Sequence, residues 1–169
     1  FRFKVFEKLE MEICLKNKCT GCYACVNACS HHCIQMREDE DGAVRPVIDE
    51  SKCVGCKLCV SSCPNNVELE FRTPIKCYAS WITDTEKRRI CASGGIGTIM
   101  SEYVLKQRGV VFGSRYDNNL TPIMTYVENL EDLESFKGSR YVQSLVGNTT
   151  YKEVRTFLRT GRLVLFVGT

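Results

Sequence analysis

Four cysteines in "CTGCYACVNACS", residues 19–30, follow one another at spacings of three, three and four. The same spacing returns in "CVGCKLCVSSCP", residues 53–64. Cys19, Cys22, Cys25 and Cys29 therefore map onto Cys53, Cys56, Cys59 and Cys63 with an offset of 34, an internal duplication. Four thiols in one place can pair as disulfides, hold zinc or hold an iron–sulfur cluster. A zinc site usually joins two separated Cys-x2-Cys pairs, each gripping one side of a tetrahedron. Here three cysteines crowd into seven residues, 19–25, as though wrapping three corners of a cube from one loop. Gly21 and Gly55 supply the backbone freedom that such a loop needs.

The fourth cysteine of each run sits at the start of a helix-like turn and points away from its own loop. In two-cluster ferredoxins the cysteine at this place ligates the other cluster. The duplication thus predicts crossed ligation of two 4Fe-4S clusters. Cys19, Cys22, Cys25 and Cys63 would hold one, and Cys53, Cys56, Cys59 and Cys29 the other. Pro64 after Cys63 matches the Cys-Pro ending of the bacterial run, whereas Ser30 after Cys29 departs from it. Cys14, Cys33, Cys77 and Cys91 fall outside both sets and read as buried small residues or free thiols. His31 and His32 read as exposed loop residues beside a cluster.

The totals suit such a module. Hydrophobic residues make up 44% of 169, enough for a packed core. A net charge of +3, from 23 basic and 20 acidic residues, argues against nucleic acid or an anionic membrane as the main partner. No apolar run reaches 18 residues, so no membrane span is expected. Twelve cysteines without a signal-peptide pattern point to metal in a reducing, cytoplasmic compartment. Residues 1–13 read as an extension without function, and the apolar "RLVLFVGT" at the other end reads as a strand that a longer chain would continue.

The elements fall into two grammars. Residues 14–70 read as an α+β ferredoxin-like domain, with Asp41-Gly42 closing a hairpin between "IQM" and "AVRPVI". After a seam near 70–76, residues 77–169 read as the beginning of an α/β domain with partly parallel strands. A helix in "GIGTIMSEYVLKQRG" would bury Ile96, Ile99, Met100, Tyr103 and Val104. "VVFGSRY", "PIMTYV" and "LVLFVG" read as strands, and "ENLEDLESF" as a short helix with Leu130, Leu133 and Phe136 on one face. Thr150 and Glu153 form a capping box for a last helix whose apolar face is Val154, Phe157 and Leu158.

Ser93, Gly94 and Gly95 stand just before the first of these helices, where open backbone N–H groups attract phosphate. Gly138, Ser139, Arg140 and Tyr141 form a second small-residue loop. With "GVVFGSRYD", "GSRYVQS" and "GRLVLFVGT" in this order, residues 15–169 resemble the beta-subunit family of coenzyme F-420 hydrogenases and dehydrogenases, and more closely its bacterial members with an N-terminal ferredoxin domain. The resemblance implies a flavin-binding α/β domain that moves electrons between iron–sulfur clusters, FAD and coenzyme F-420 or another acceptor. It places Ser93, Gly94, Gly95, Gly138, Ser139, Arg140 and Tyr141 near the flavin. It also implies a redox partner protein or hydrogenase/dehydrogenase subunit, and a further domain after Thr169. Ala92-Ser93 replaces the family's double serine, and Arg140 its lysine, which keeps the charge but changes the donor geometry. The alternative is a non-catalytic electron-transfer module that docks to a partner enzyme.

Overall fold

Asp39 organises the hairpin that the Asp-Gly pair announces. Its carboxylate accepts the N–H groups of Asp41 at 3.1 Å and Ala43 at 2.9 Å, and Gly42 takes the left-handed backbone, φ +76°, that closes the turn. The flanking strands, β1 (Ile34–Glu38) and β2 (Val44–Ile48), pair antiparallel with Ile34 opposite Ile48 and Glu38 opposite Val44. These elements come from a computed structural model that describes residues 12–68 and 70–168. Residues 1–11 of the expected extension lie outside the described residues. The chain divides into two compact units, one ending at Glu70 and one beginning at Phe71.

The first unit repeats the duplication in its backbone. Gly21 (φ +65°) and Gly55 (φ +71°) are both left-handed, and so are Tyr23 (φ +64°) and Lys57 (φ +59°), two residues further on in each copy. Each of these last two starts a short helix, α1 (Ala24–Ala28) and α2 (Leu58–Ser61). A non-glycine residue in this region costs about 1–2 kcal/mol, so both copies hold the same strained turn. The copies part after their fourth cysteine. Pro64 opens a 3-10 turn over Pro64–Asn66, while the chain after Cys29 bends through His32 at φ +50°.

The second unit is built on β3 (Val110–Tyr116). Val110, Val111 and Phe112 have no exposed surface, as expected of a central strand covered on both faces. β4 (Pro122–Val127) pairs antiparallel on one side of it, and β5 (Val164–Phe166) parallel on the other. Alternate side chains meet different layers. Val111 packs with Val104 and Leu105 of α4 (Ile96–Lys106), with Val127 and with Leu133. Phe112 points the other way into a ring cluster with Tyr126, Phe157 and Phe166 at centroid distances of 5.3, 6.1 and 5.8 Å. Phe157 belongs to α5 (Thr150–Arg159).

Three details differ from the sequence reading. Of the expected α4 stripe Val104 is buried, together with Ser101 and Leu105, whereas Ile96, Ile99, Met100 and Tyr103 are 37–62% exposed. The two stripes are neighbours on the helix; the small Ser101, its hydroxyl donated to the Gly97 carbonyl at 2.8 Å, lies on the stripe that the sheet covers. The short helix in "ENLEDLESF" is a 3-10 helix over Asp132–Phe136, with Leu133 buried and Phe136 packed against the core but Leu130 44% exposed. Asn129 starts it by accepting the Asp132 N–H at 2.8 Å, and the guanidinium of Arg140 ends it by donating to the carbonyls of Ser135, Phe136, Lys137 and Gly138. The start of α5 is shifted by one residue: Thr149, not Thr150, is the cap, and its hydroxyl donates to Glu153 at 2.9 Å. A short α3 (Thr85–Arg89), capped by the Asp84 carboxylate on the Lys87 N–H at 3.0 Å, completes the unit.

This division of labour is testable. Phe112→Ala removes the centre of the ring cluster and is expected to cost about 3–5 kcal/mol in denaturant unfolding. Leu158→Ala, at a position 56% exposed, is expected to stay within about 0.5 kcal/mol of the parent protein.

Candidate metal centres

Each cysteine run makes a cradle by the same steps. The first two cysteines lie outside helix and strand, the left-handed pair at 21 and 23 or 55 and 57 turns the backbone, and the third cysteine enters on the short helix. Cys25 and Cys59 are thereby buried, and so are the fourth cysteines, Cys29 and Cys63. Cys19, Cys22 and Cys53 are half-buried, and Cys56 is exposed. α1 and α2 pack against each other, so that each fourth cysteine leaves its own helix on the side of the other copy's loop.

Two cavities result. One is lined by Cys19, Cys22, Cys25 and Cys63, with Cys14, Ile13, Tyr23, Met36 and Pro46 around them. The other is lined by Cys53, Cys56, Cys59 and Cys29, with Cys33, His31, Ile34, Ile48 and Leu58. The structure therefore brings together the two crossed sets expected from the duplication, each in an apolar enclosure. Among the described residues no three His, Cys, Asp or Glu side chains are arranged to hold a single metal ion.

The electrostatics suit thiols that wait for a positive partner. Burial pushes the Cys25 thiol up from 9.0 to about 11, with the neighbouring thiols of Cys22 and Cys19 adding to it, and burial raises Cys59 as well. At Cys29 burial also works upward, but the N–H and thiol of Cys33 and the N–H groups of His31 and His32 outweigh it and hold the thiol below its ordinary value. Backbone N–H groups aimed at a sulfur are the contacts that tune a cysteinate on a cluster. The first loop is braced from the hairpin. Arg45 donates to the Cys19 carbonyl and, at 3.4 Å, to Asp39, whose carboxyl lies below the usual range chiefly through the Ala43 N–H.

Two cysteines that the spacing left aside stand at these cavities. Cys33 is 4% exposed and its sulfur lies 3.4 Å from that of Cys29. Cys14 lines the first cavity, where burial first and then the neighbouring thiols of Cys63 and Cys19 raise its thiol above the ordinary value. Spacing carried no signal for either, because the offset of 34 maps Cys14 onto Ile48 and Cys33 onto Val67. Cys77 is exposed, and Cys91 donates to the Lys87 carbonyl at 3.1 Å. His31 lines the second cavity; His32 is exposed.

Of the residues expected near a flavin, one lines a cavity of the second unit. A cavity of about 200 Å³ in the second unit is lined by Ala92, Gly97, Thr98 and Ser101 around the start of α4, by Gly113 and Ser114 of β3, and by Lys137 and Gly138. Gly138 is the only predicted flavin residue on it. Gly94 and Gly95 instead admit the segment 80–82: a Cβ would fall 2.7 Å from the Ser80 carbonyl oxygen at Gly94 and 2.4 Å from Ile82 at Gly95. Ser93 turns the chain at φ +51°. Arg140 spends its guanidinium on the four carbonyls described above and stacks over Tyr116 at 5.4 Å, while Ser139 and Tyr141 are exposed.

The crossing makes a spectroscopic prediction. In the reduced protein Cys22→Ala and Cys63→Ala should alter the same one of two paramagnetic resonance signals, and Cys56→Ala and Cys29→Ala the other. Uncrossed pairing, with Cys63 following Cys56, would overturn it.

A search of curated proteins finds no match to this chain. Residues 18–67 match the family model described as a 4Fe-4S dicluster domain, so this stretch, which carries both cysteine runs and the hairpin between them, is a 4Fe-4S dicluster domain.

Proposed function

We propose that the chain relays single electrons through two 4Fe-4S clusters, one in each cavity, as part of an oxidoreductase. The observation that carries this is the presence of two like cavities, each lined by three cysteines of one run and the fourth of the other. Bound there, the clusters would supply one-electron transfer at potentials set by burial and by hydrogen bonds to sulfur. The protein's part is to exclude water with Tyr23, Met36, Pro46, Ile34 and Ile48, and to aim the amides of residues 31–33 at Cys29. The second cavity is the place where electrons enter or leave. Its Cys56 is exposed, and Val54 and Leu58 beside it are 62% and 47% exposed.

In the second unit, the cavity between the α4 start and the 137–138 turn supports the reading of a flavin partner for the clusters. Its volume of about 200 Å³ is below the roughly 300–1,000 Å³ of a complete small-molecule site. Gly97, Thr98, Ser101, Lys137 and Gly138 would thus hold one end of an FAD. FAD couples one-electron clusters to two-electron chemistry on coenzyme F-420 or another acceptor. The second reading is a docking module without turnover. It is favoured by the uncovered stripe Ile96, Ile99, Met100 and Tyr103, and by Phe71, Ile75, Tyr78 and Trp81, each more than half exposed.

An anaerobic redox titration, with flavin quantified in the same sample, separates these readings. Reversible one-electron reduction of the clusters is expected, together with FAD binding in a one-to-one ratio. Reversible clusters without flavin would leave the docking module, and a protein that takes up no electrons would overturn both.

A further inference from the structure

The second cavity has five thiols around it, not four. The fifth, Cys33, is brought there by a local device absent from the other copy. After Cys63 the chain enters a 3-10 turn at Pro64, and Val67, the counterpart of Cys33, is left 58% exposed. After Cys29 a serine replaces that proline, and His32 takes the left-handed backbone, φ +50°. Cys33 then turns inward until it is 4% exposed and lines the cavity.

The sulfur distance identifies what the fifth thiol can reach. Two metal–sulfur bonds of about 2.3 Å at a tetrahedral angle set their sulfurs about 3.8 Å apart. The Cys33 and Cys29 sulfurs are 3.4 Å apart, close to the span of two ligands of one metal atom. Cys33 therefore lies at the corner that Cys29 serves, and it also faces Cys53. We infer that Cys33 is an alternative ligand of the second cluster, able to take the iron corner of Cys29. The exchange is a ligand substitution: the iron–sulfur bond to Cys29 breaks, one to Cys33 forms, the Cys33 thiol gives its proton to solvent and Cys29 takes one up. No electron moves. Cys14 lines the first cavity together with Cys63 and Cys19, and its segment is tied down by Asn66 donating to the Ile13 carbonyl at 2.8 Å.

This inference rests on the two-cluster reading, and its test separates the two. Iron, acid-labile sulfide and paramagnetic resonance of the reduced protein are compared for the full chain and for Cys29→Ala, Cys33→Val and Cys29→Ala/Cys33→Val, all prepared without oxygen. Valine is the residue that the other copy carries, so it keeps an apolar side chain in place of the thiol. Cys33→Val is expected to keep the parent iron content. Cys29→Ala is expected to keep it too, with a changed second signal. The double variant should fall to about half, losing the second signal and keeping the first, whose survival shows that the unit is folded. Cys29→Ala at half iron, the same as the double variant, would overturn the inference while leaving the two clusters standing. A parent chain without two clusters would overturn the underlying reading and the inference with it.

Discussion

The fold of the first unit depends on one constraint: the fourth cysteine of each copy has to reach the loop of the other copy. A thiol cannot do this from an isolated Cys-x2-Cys-x2-Cys loop. It needs a short helix to carry the chain away from the triplet, and a second helix packed against the first so that both chains exchange places. α1 and α2 do this in four or five residues each. The left-handed Tyr23 and Lys57 are what allow helices so short to begin at once after the loop. A strained backbone position persists only where its surroundings over-determine it, and here the same strain appears at equivalent positions of both copies. The hairpin then serves the crossing from outside, with Asp39 and Arg45 holding the Cys19 carbonyl.

The two copies are not equivalent once formed. The first cavity is closed in by Tyr23, Met36 and Pro46, whereas the second opens at Cys56 beside exposed Val54 and Leu58. Burial and hydrogen bonding to sulfur set cluster potentials, and the two cavities differ in both. The departure from Pro to Ser at position 30 belongs to this asymmetry. It exchanges a rigid 3-10 start for a bend that turns Cys33, with its N–H, toward Cys29.

Much of this was legible in the sequence. Two cysteine runs at a fixed offset, two glycines inside them and one Asp-Gly turn specify which cysteines line each cavity, the loops and the hairpin, because each is a local rule of spacing or backbone freedom. The strands "VVFGSRY" and "PIMTYV" were legible for a related reason: a central strand buried on both faces has to be apolar throughout. What failed was the choice between adjacent stripes of α4, since periodicity finds an apolar face but not which neighbour it meets. The role of Arg140 was hidden for the same cause. A cation in a small-residue loop reads as an anion contact, while its four carbonyl partners exist only after the 132–136 turn has formed. Gly94 and Gly95 stand where the segment 80–82 passes too close for a Cβ, a packing need that the sequence does not display. Cys14 and Cys33 were legible as buried or free thiols but not as cavity residues, because the duplication reveals what the copies share and these two are not shared.

The most direct test of the account is the metal content and spin state of the full chain purified without oxygen. About eight iron and eight sulfide per chain, with a reduced-state resonance spectrum showing two clusters coupled to each other, is the predicted result. Zinc in place of iron, or a single uncoupled cluster, would contradict it.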